Sequence, residues 1–579
     1  MSKTTKIITK SPRILNSNNN YVHNLEKDIN YKHQEIYRYK SKEYTYEIFN
    51  SLKKDKNLSE YSLLFSQKFL KFYNQIYFAS LFRDSFLDRE FWVIKPICND
   101  KKINYAISSE IYDILVAHPN CRIKKIPVRA TNERSARGDS KVSIYSRLRI
   151  VGYKGIFWNF LNLISFLFKS NKVKIAIISS NELVRDISFY LLWRKNLNIF
   201  YFKKFFNFKN KIVIIKNENI IKNISVIVNK IFLKALRDVP SETIRELLIA
   251  KWNIELIDII NSYRTYKHNI KNILDKKKID FILIGYLDML KGLALHNICQ
   301  NKSIPLISCQ HGITREIIFD PNLRSIFFET SFSDYLFCYN DMSKKVTQSA
   351  MYYNQNNIYN IGLPSDYRNF ISKKNKSKEI CYISTILLSG GIPNFIAPEK
   401  DIELINWELK LINKVFKKTI KTIDYKPYPA IRYAENDISI QAVKEDNNLK
   451  LVGTHIDFRY IISNYGLLIT SGATSTLGWC VQSNIPLIII NRKGSLSIKE
   501  SVIHDFKKAF FIFDDSDENW TEKLKSFLEK EYSDILQLWR NKLDTRPAII
   551  KKYFGDVNLN AGKNGANIIN NIIREQKFG

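Results

Sequence analysis

The sequence predicts an α/β protein in which two Rossmann-like domains face a cleft, with a mainly helical extension at the N-terminus. Three observations predict it. From Val173 onward, short apolar runs alternate with amphipathic segments of helical period. The alternation comes as two series that meet near residues 365 to 378. In both series, apolar runs stop at clusters of Gly, Ser, Thr or Asn, as parallel strands do where they turn into helices.

In chain order, residues 1–150 read as the extension. The first thirty contain Lys3, Lys6, Lys10 and Arg13 without an apolar stretch, so no secretory signal is expected. Tyr44 to Leu87 is rich in Tyr, Phe and Leu, and Phe65, Phe69, Phe72 and Ile76 recur at helical spacing. A short strand is expected at Phe91 to Ile94. Arg129 to Lys141 has no apolar period and reads as an exposed basic connection. Within residues 151–171, Gly155 to Phe168 is too short to span a bilayer. As a helix it would gather Ile156, Phe157, Phe160, Leu161, Ile164 and Leu167 on one face, with cations at both ends. That composition fits either a core helix or a helix lying on an anionic membrane surface.

Residues 172–370 form the first series. Strand Val173 to Ile178 ends at Ser179, Ser180 and Asn181 and is followed by helix Glu182 to Trp193 and a strand at Ile212 to Ile215. Pro240 and Ser241 open a helix running to about Tyr266, with Ser241 as N-cap. Strands Phe281 to Ile284, Leu306 to Ser308, Tyr335 to Tyr339 and Asn357 to Gly362 follow, with a helix from Leu290 to Asn301. Residues 378–540 form the second series. It contains strand Ile380 to Leu388, helix Ile402 to Lys417, strand Thr422 to Tyr425, a unit centred on Leu467 to Ile490, and strand Phe510 to Phe513. Residues 541–579 read as closing C-terminal helices.

The unit around Leu467 carries the clearest ligand signal. Leu467, Leu468 and Ile469 run into Thr470 to Thr476, a helix-like segment follows, and a second apolar run ends at Ile490. Ser471, Gly472, Thr474, Ser475 and Thr476 thus fall where a helix opens with unpaired N–H groups and a positive dipole end, a site suited to phosphate. Simple N-capping accounts for the same hydroxyl residues, and the segment alone leaves both readings open.

Other strand ends supply further candidates. The strand at Leu306 leads into Gln310, His311 and Gly312, with Arg315 close behind on the acceptor side. His311 is a candidate general base, because imidazole accepts a proton near neutral pH. Asp288, after the strand at Phe281, is a second base candidate that also fits a helix cap. The strand at Thr422 leads into Lys426, Tyr428 and Pro429, where a cation and a phenol could steady a phosphate leaving group.

Composition narrows the field. The 579 residues include 90 Lys plus Arg against 56 Asp plus Glu, a formal charge of +34. Such a balance fits nucleic acid, anionic membrane or polyanionic substrates. The lysines are spread through every segment and no RNP-like signature occurs, so no nucleic-acid partner is expected. Seven scattered cysteines without a C-x-x-C pair indicate a reduced, cytoplasmic protein with no structural zinc. No paired acidic motif marks a metal site, and no cofactor is expected.

The order Q-H-G (Gln310 to Gly312), D-Y-L-F-C-Y (Asp334 to Tyr339), I-G-L-P (Ile361 to Pro364), K-P-Y-P (Lys426 to Pro429) and L-L-I-T-S-G-A-T-S-T-L-G (Leu467 to Gly478) resembles the GT-B glycosyltransferases of bacterial capsule and lipopolysaccharide assembly. It is most similar to those using CMP-activated donors, such as sialyl- and Kdo-transferases, and to the CDP-polyol phosphotransferases of teichoic-acid synthesis. The resemblance implies that His311 and Gly312 match an H-G motif, Lys426 and Pro429 the neighbourhood of an H-P motif, and Thr474 to Thr476 the S/T pair that holds CMP. Tyr428 stands where the H-P motif has His. No acidic doublet precedes a glycine in the first series, so the base stays open between His311 and Asp288. The resemblance covers residues 172 to 540. It implies a metal-independent enzyme whose nucleotide-sugar donor is a substrate, whose acceptor is a glycan or lipid-linked glycan, and whose seat is cytoplasmic or peripheral on the inner membrane face.

Overall fold

In this computed structural model the described residues are 6–9, 22–24, 31–80, 91–97, 116, 120–127, 173–194, 196–202, 205–206, 218–318, 329–349, 357–368, 377–385, 401–428, 438–453, 456–492 and 497–578. The expected basic connection at 129–141, the amphipathic segment at 155–168 and the strand at 212–215 lie outside them.

Two six-stranded parallel sheets form the body. Strands β1 to β4 belong to the extension (Lys6–Thr9, Val22–Asn24, Phe91–Ile97, Cys121–Pro127) and pair in the order β2-β1-β3-β4, all parallel. Only β3 is anticipated by the sequence. The first body sheet contains β5 (Val173–Ile177), β6 (Leu197–Tyr201), β7 (Phe281–Ile284), β8 (Leu306–Cys309), β9 (Tyr335–Cys338) and β10 (Asn357–Asn360), in the order β10-β9-β8-β7-β5-β6. The second contains β11 (Ile380–Ile383), β12 (Ile423–Lys426), β13 (Leu449–Leu451), β14 (Leu467–Ser471), β15 (Leu487–Asn491) and β16 (Phe511–Asp514), in the order β13-β12-β11-β14-β15-β16. These are the two Rossmann-like halves that the sequence predicts. Continuous apolar runs form the central strands because helices cover both faces of a parallel sheet.

The first sheet separates two apolar regions. Ile175, Ile177, Phe281 and Leu283 point to one face, where helix α3 (Glu182–Leu192) packs. Ala176, Ile178, Ile282 and Ile284 point to the other, toward α1 (Tyr31–Lys53), α2 (Ser62–Ser80), α4 (Glu218–Leu236) and α5 (Glu242–Lys277). There Trp252 of α5 meets Phe69 and Phe72 of α2 edge-on and stacks on Phe232 of α4. The extension's helices and α4 and α5 therefore share one core, and the divide placed at residues 150 to 172 is not a packing boundary. As predicted, the Ser241 hydroxyl caps α5, accepting from the Ile244 N–H at 3.4 Å. The helix outlasts Tyr266 because the apolar period continues through the buried Ile270 and Leu274. It stops at Lys278, whose φ of 51° is left-handed.

The C-terminal helix, Ala561–Phe578, leaves the second half and crosses back to α3. The approach is close: a Cβ on Gly562 would lie 2.6 Å from the Asp186 carbonyl oxygen, and one on Gly565 2.7 Å from Ile187. Because backbone rather than a flexible side chain limits the space, Gly562→Val should lower stability by about 1–3 kcal/mol. Urea denaturation monitored by circular dichroism would detect it, and an unchanged midpoint would mean the helix is not docked this way.

Candidate functional site

Ligands of open parallel sheets bind at carboxyl strand ends where the strand order reverses. The reversal falls between β5 and β7 in the first sheet and between β11 and β14 in the second. In the first half, the Ser179 hydroxyl accepts the N–H groups of Gly285 and Tyr286, each at 3.0 Å. The Asn181 amide donates to the Cys309 and Gln310 carbonyls, each at 3.0 Å. Asn181 also caps α3, accepting from the Val184 N–H at 2.9 Å. The ends of β5, β7 and β8 are thus tied into one platform.

The Gln310–Arg315 loop rises from that platform. Gln310 is fully buried, and its amide is fully engaged. It donates to Gly312 O at 3.0 Å and Glu316 Oε1 at 2.7 Å, and accepts from the Tyr339 N–H at 3.1 Å and the Ser343 hydroxyl at 2.7 Å. Arg315 is buried against Glu329 and donates to Thr347 at 3.1 Å. Glu329 in turn accepts the His311 N–H at 3.0 Å. Gln310 and Arg315 therefore brace the loop rather than line the cleft. His311 is exposed, with the Tyr286 ring 6.0 Å from its own. Burial pushes the Glu329 carboxyl up, against the pull of Arg315 and His311. Asp288 caps the helix Met289–Asn301, accepting from the Lys291 N–H at 3.2 Å, and its carboxylate pairs with the Lys291 ammonium. The cap reading, also open from the sequence, is the one its contacts match.

In the second half, Ser471 is fully buried at the end of β14, against the Tyr382 phenol. Gly472 takes a φ of 72°, which turns the chain into helix Ser475–Gln482. Thr474 is the N-cap residue, yet its side chain makes no capping hydrogen bond. The N–H of Leu477 turns back to the Thr474 carbonyl at 3.0 Å, and Ser475 is exposed. The Thr474 hydroxyl therefore does not cap this helix, and Ser475 at its start is open to solvent. Lys426 is buried with its ammonium on the Pro427 carbonyl at 2.7 Å, and Tyr428 is half-buried beside it. Pro429 lies outside the described residues.

The two turns face each other. Gly312, at φ 70°, lies where an added Cβ would be 3.5 Å from Ser475 Cβ. Behind them the halves are joined by contacts between residues far apart in the chain. Tyr367 stacks on Trp479 with centroids 3.7 Å apart and planes 4° apart. Arg459 of the second half reaches Glu182 of α3 at 3.2 Å, and its guanidinium lies 5.3 Å from the Trp479 ring. Arg185 bridges Glu182 at 3.5 Å and Asp366 at 3.1 Å. Burial pushes the Glu182 carboxyl up, but Arg185 and Arg459 outweigh it and hold the group below its ordinary value. At Asp366 burial wins, and the carboxyl rises to about 6 despite Arg185. Glu182 had one legible signal, its place just after a strand-end Ser-Ser-Asn. Arg459 sits in the single 3-10 turn Phe458–Tyr460, which carries none.

Among the described residues, no three His, Cys, Asp or Glu side chains are grouped to hold a metal ion, and no helix is long and apolar enough to cross a membrane. No protein-family model matches the sequence, and no curated protein matches it. Solved structures are similar at low identity. The S. aureus MnaA–UDP co-structure shares 11% identity, with 70% of this chain and 98% of that one covered and a TM-score of 0.40. A Methanocaldococcus jannaschii UDP-GlcNAc 2-epimerase bound to UDP-GlcNAc and UDP shares 14%, over 69% and 99%, with a TM-score of 0.39. Arabidopsis thaliana UGT89C1 complexed with UDP shares 13%, over 69% and 100%, with a TM-score of 0.38. At these scores the likeness carries no activity across to this chain.

The raised Asp366 carboxyl makes a pH prediction. Its folded value, about 6, lies above that of an ordinary aspartate, so the group favours the folded state at low pH and that contribution is lost as pH rises through about 6. Asp366→Asn removes the titration. Its stability relative to wild type should therefore improve steadily between about pH 4 and 7. Thermal melts across that range would show a parallel pair of curves if the assignment is wrong.

Proposed function

We propose that the protein is a nucleotide-sugar-dependent enzyme, and specifically a glycosyltransferase that moves a sugar from a CMP-linked donor to a surface-polysaccharide acceptor. The observation that carries this reading is the helix start at Ser475, uncapped by the Thr474 side chain and lying against Gly312 of the loop that bears the exposed His311, with Tyr367 stacked on Trp479 one turn further on. An anion held at the N–H groups of Ser475 and Thr476 would use the helix dipole and the buried turn at Ser471 and Gly472. Lys426, at the end of β12 two strands from β14, adds positive charge.

In this reading the bond between the anomeric carbon and the phosphate oxygen breaks while a bond from the acceptor oxygen to that carbon forms. The acceptor proton passes to His311, and the leaving phosphate is stabilised by the helix start and Lys426. The acceptor would be a glycan or lipid-linked glycan approaching over Tyr286.

A thermal-shift series with CMP, CDP, UDP, GDP and ADP tests the nucleotide site. Stabilisation by a cytidine nucleotide is expected, and it should be lost in Ser475→Ala combined with Lys426→Met. Preference for UDP would remove the CMP assignment, and no shift with any nucleotide would remove the site. Chemistry is tested separately. His311→Gln should lower transfer by about 10²–10⁴-fold while leaving nucleotide affinity unchanged. A phosphodiester product would instead identify polyol-phosphate transfer.

A further inference from the structure

The outer faces of α1 and α4 form a surface that the cleft chemistry does not use. The two helices lie side by side and antiparallel. Lys40 of α1 pairs with Asp238, just past the end of α4, at 2.6 Å, and Glu43 and Glu47 pair with Lys234 at 3.6 and 3.3 Å. The Lys234 ammonium also sits 5.4 Å over the Tyr44 ring. Both helices bury their inner faces against α2, through Tyr44 on Phe69 and Tyr73 and through Phe232 on Phe72. Their outer faces consequently point the same way.

Each outer face alternates cations with apolar or aromatic groups at helical spacing. On α4 the exposed stripe is Lys222, Val226, Lys230, Leu233 and, one residue past its end, Arg237. On α1 it is Tyr39, Lys42, Tyr46 and Lys53. Val226 and Leu233 are 66% and 52% exposed, and Tyr39 and Tyr46 are 72% and 52% exposed. Neither stripe contains an acidic residue. The nearby carboxylates, Glu43, Glu47 and Asp238, lie in the seam between the helices, each paired with a lysine.

We propose that this α1–α4 surface docks the protein on an anionic lipid bilayer. Apolar and tyrosyl side chains at the centre of a cationic face suit the boundary between head groups and acyl chains, and the cations suit phosphate-rich leaflets. The chain's +34 charge supplies long-range attraction to the same surface. This surface is separate from the amphipathic segment at 155–168, and its docking does not depend on the reaction proposed for the cleft.

The test is co-sedimentation of the full chain with vesicles of phosphatidylcholine alone or of equal parts phosphatidylcholine and phosphatidylglycerol. Binding is expected only to the second, with loss at high salt. Lys222→Glu with Lys230→Glu should weaken it about ten-fold or more. Val226→Asp with Leu233→Asp should weaken it comparably. Lys276→Glu with Lys277→Glu makes the same charge change at the exposed end of α5 and should have little effect. All these positions face outward, so unchanged melting curves are expected and would exclude misfolding as the cause. Absent binding, an equal loss in the α5 control, or stripe-dependent binding to single-stranded RNA in preference to vesicles would each overturn the proposal.

Discussion

The stack of Tyr367 on Trp479 sets the distance at which the two sheets face each other. Tyr367 lies just beyond β10 of the first half, and Trp479 lies one turn inside the helix that begins at Ser475. Their contact therefore fixes the helix start relative to the first half. Gly478 makes the approach possible, since a Cβ there would sit 3.2 Å from both Ile313 and Tyr367. Ile313 belongs to the same loop as His311. One aromatic pair and one glycine thus hold the helix start of one half opposite the histidine loop of the other.

The charged groups beside that stack follow from the same constraint. Glu182 opens α3 at a strand end, where the helix dipole favours an anion. Once the halves meet, it is removed from much of the solvent, and a buried carboxylate requires compensating cations. Arg185 comes from the same helix and Arg459 from the opposite half. The network therefore joins the two halves by charge beside the aromatic stack.

What the sequence reveals and what it hides divide along physical lines. Apolar runs such as Leu467 to Ile469 and Phe281 to Ile284 mark strands because burial on both faces demands unbroken hydrophobicity. The Ser241 cap is legible because its interaction is local. Leu449–Leu451 escapes because a three-residue edge strand carries too little pattern. Among the site residues, the Ser471 to Thr476 turn is legible as a strand-to-helix junction. Gln310 and Arg315 are expected on the acceptor side, but Glu316 lies in their own loop and Glu329, Tyr339 and Ser343 come from later segments that the fold brings back to it. No spacing rule reveals such partners. Glu182 and Arg459, 277 positions apart, are illegible as a pair for the same reason.

The two faces of the first sheet also separate two tasks. Strand alternation sends Ile175 and Ile177 toward α3 and the returning C-terminal helix, and Ala176 and Ile178 toward the helical layer. Ser179, Tyr286 and His311 leave the sheet in a third direction, from the carboxyl ends of β5, β7 and β8. The helical layer can therefore carry an outward surface of its own without covering the cleft, because a sheet face and its strand ends point along different axes. Accretion of helices on that face adds an interaction surface while leaving the His311 loop and the Ser475 helix start in register.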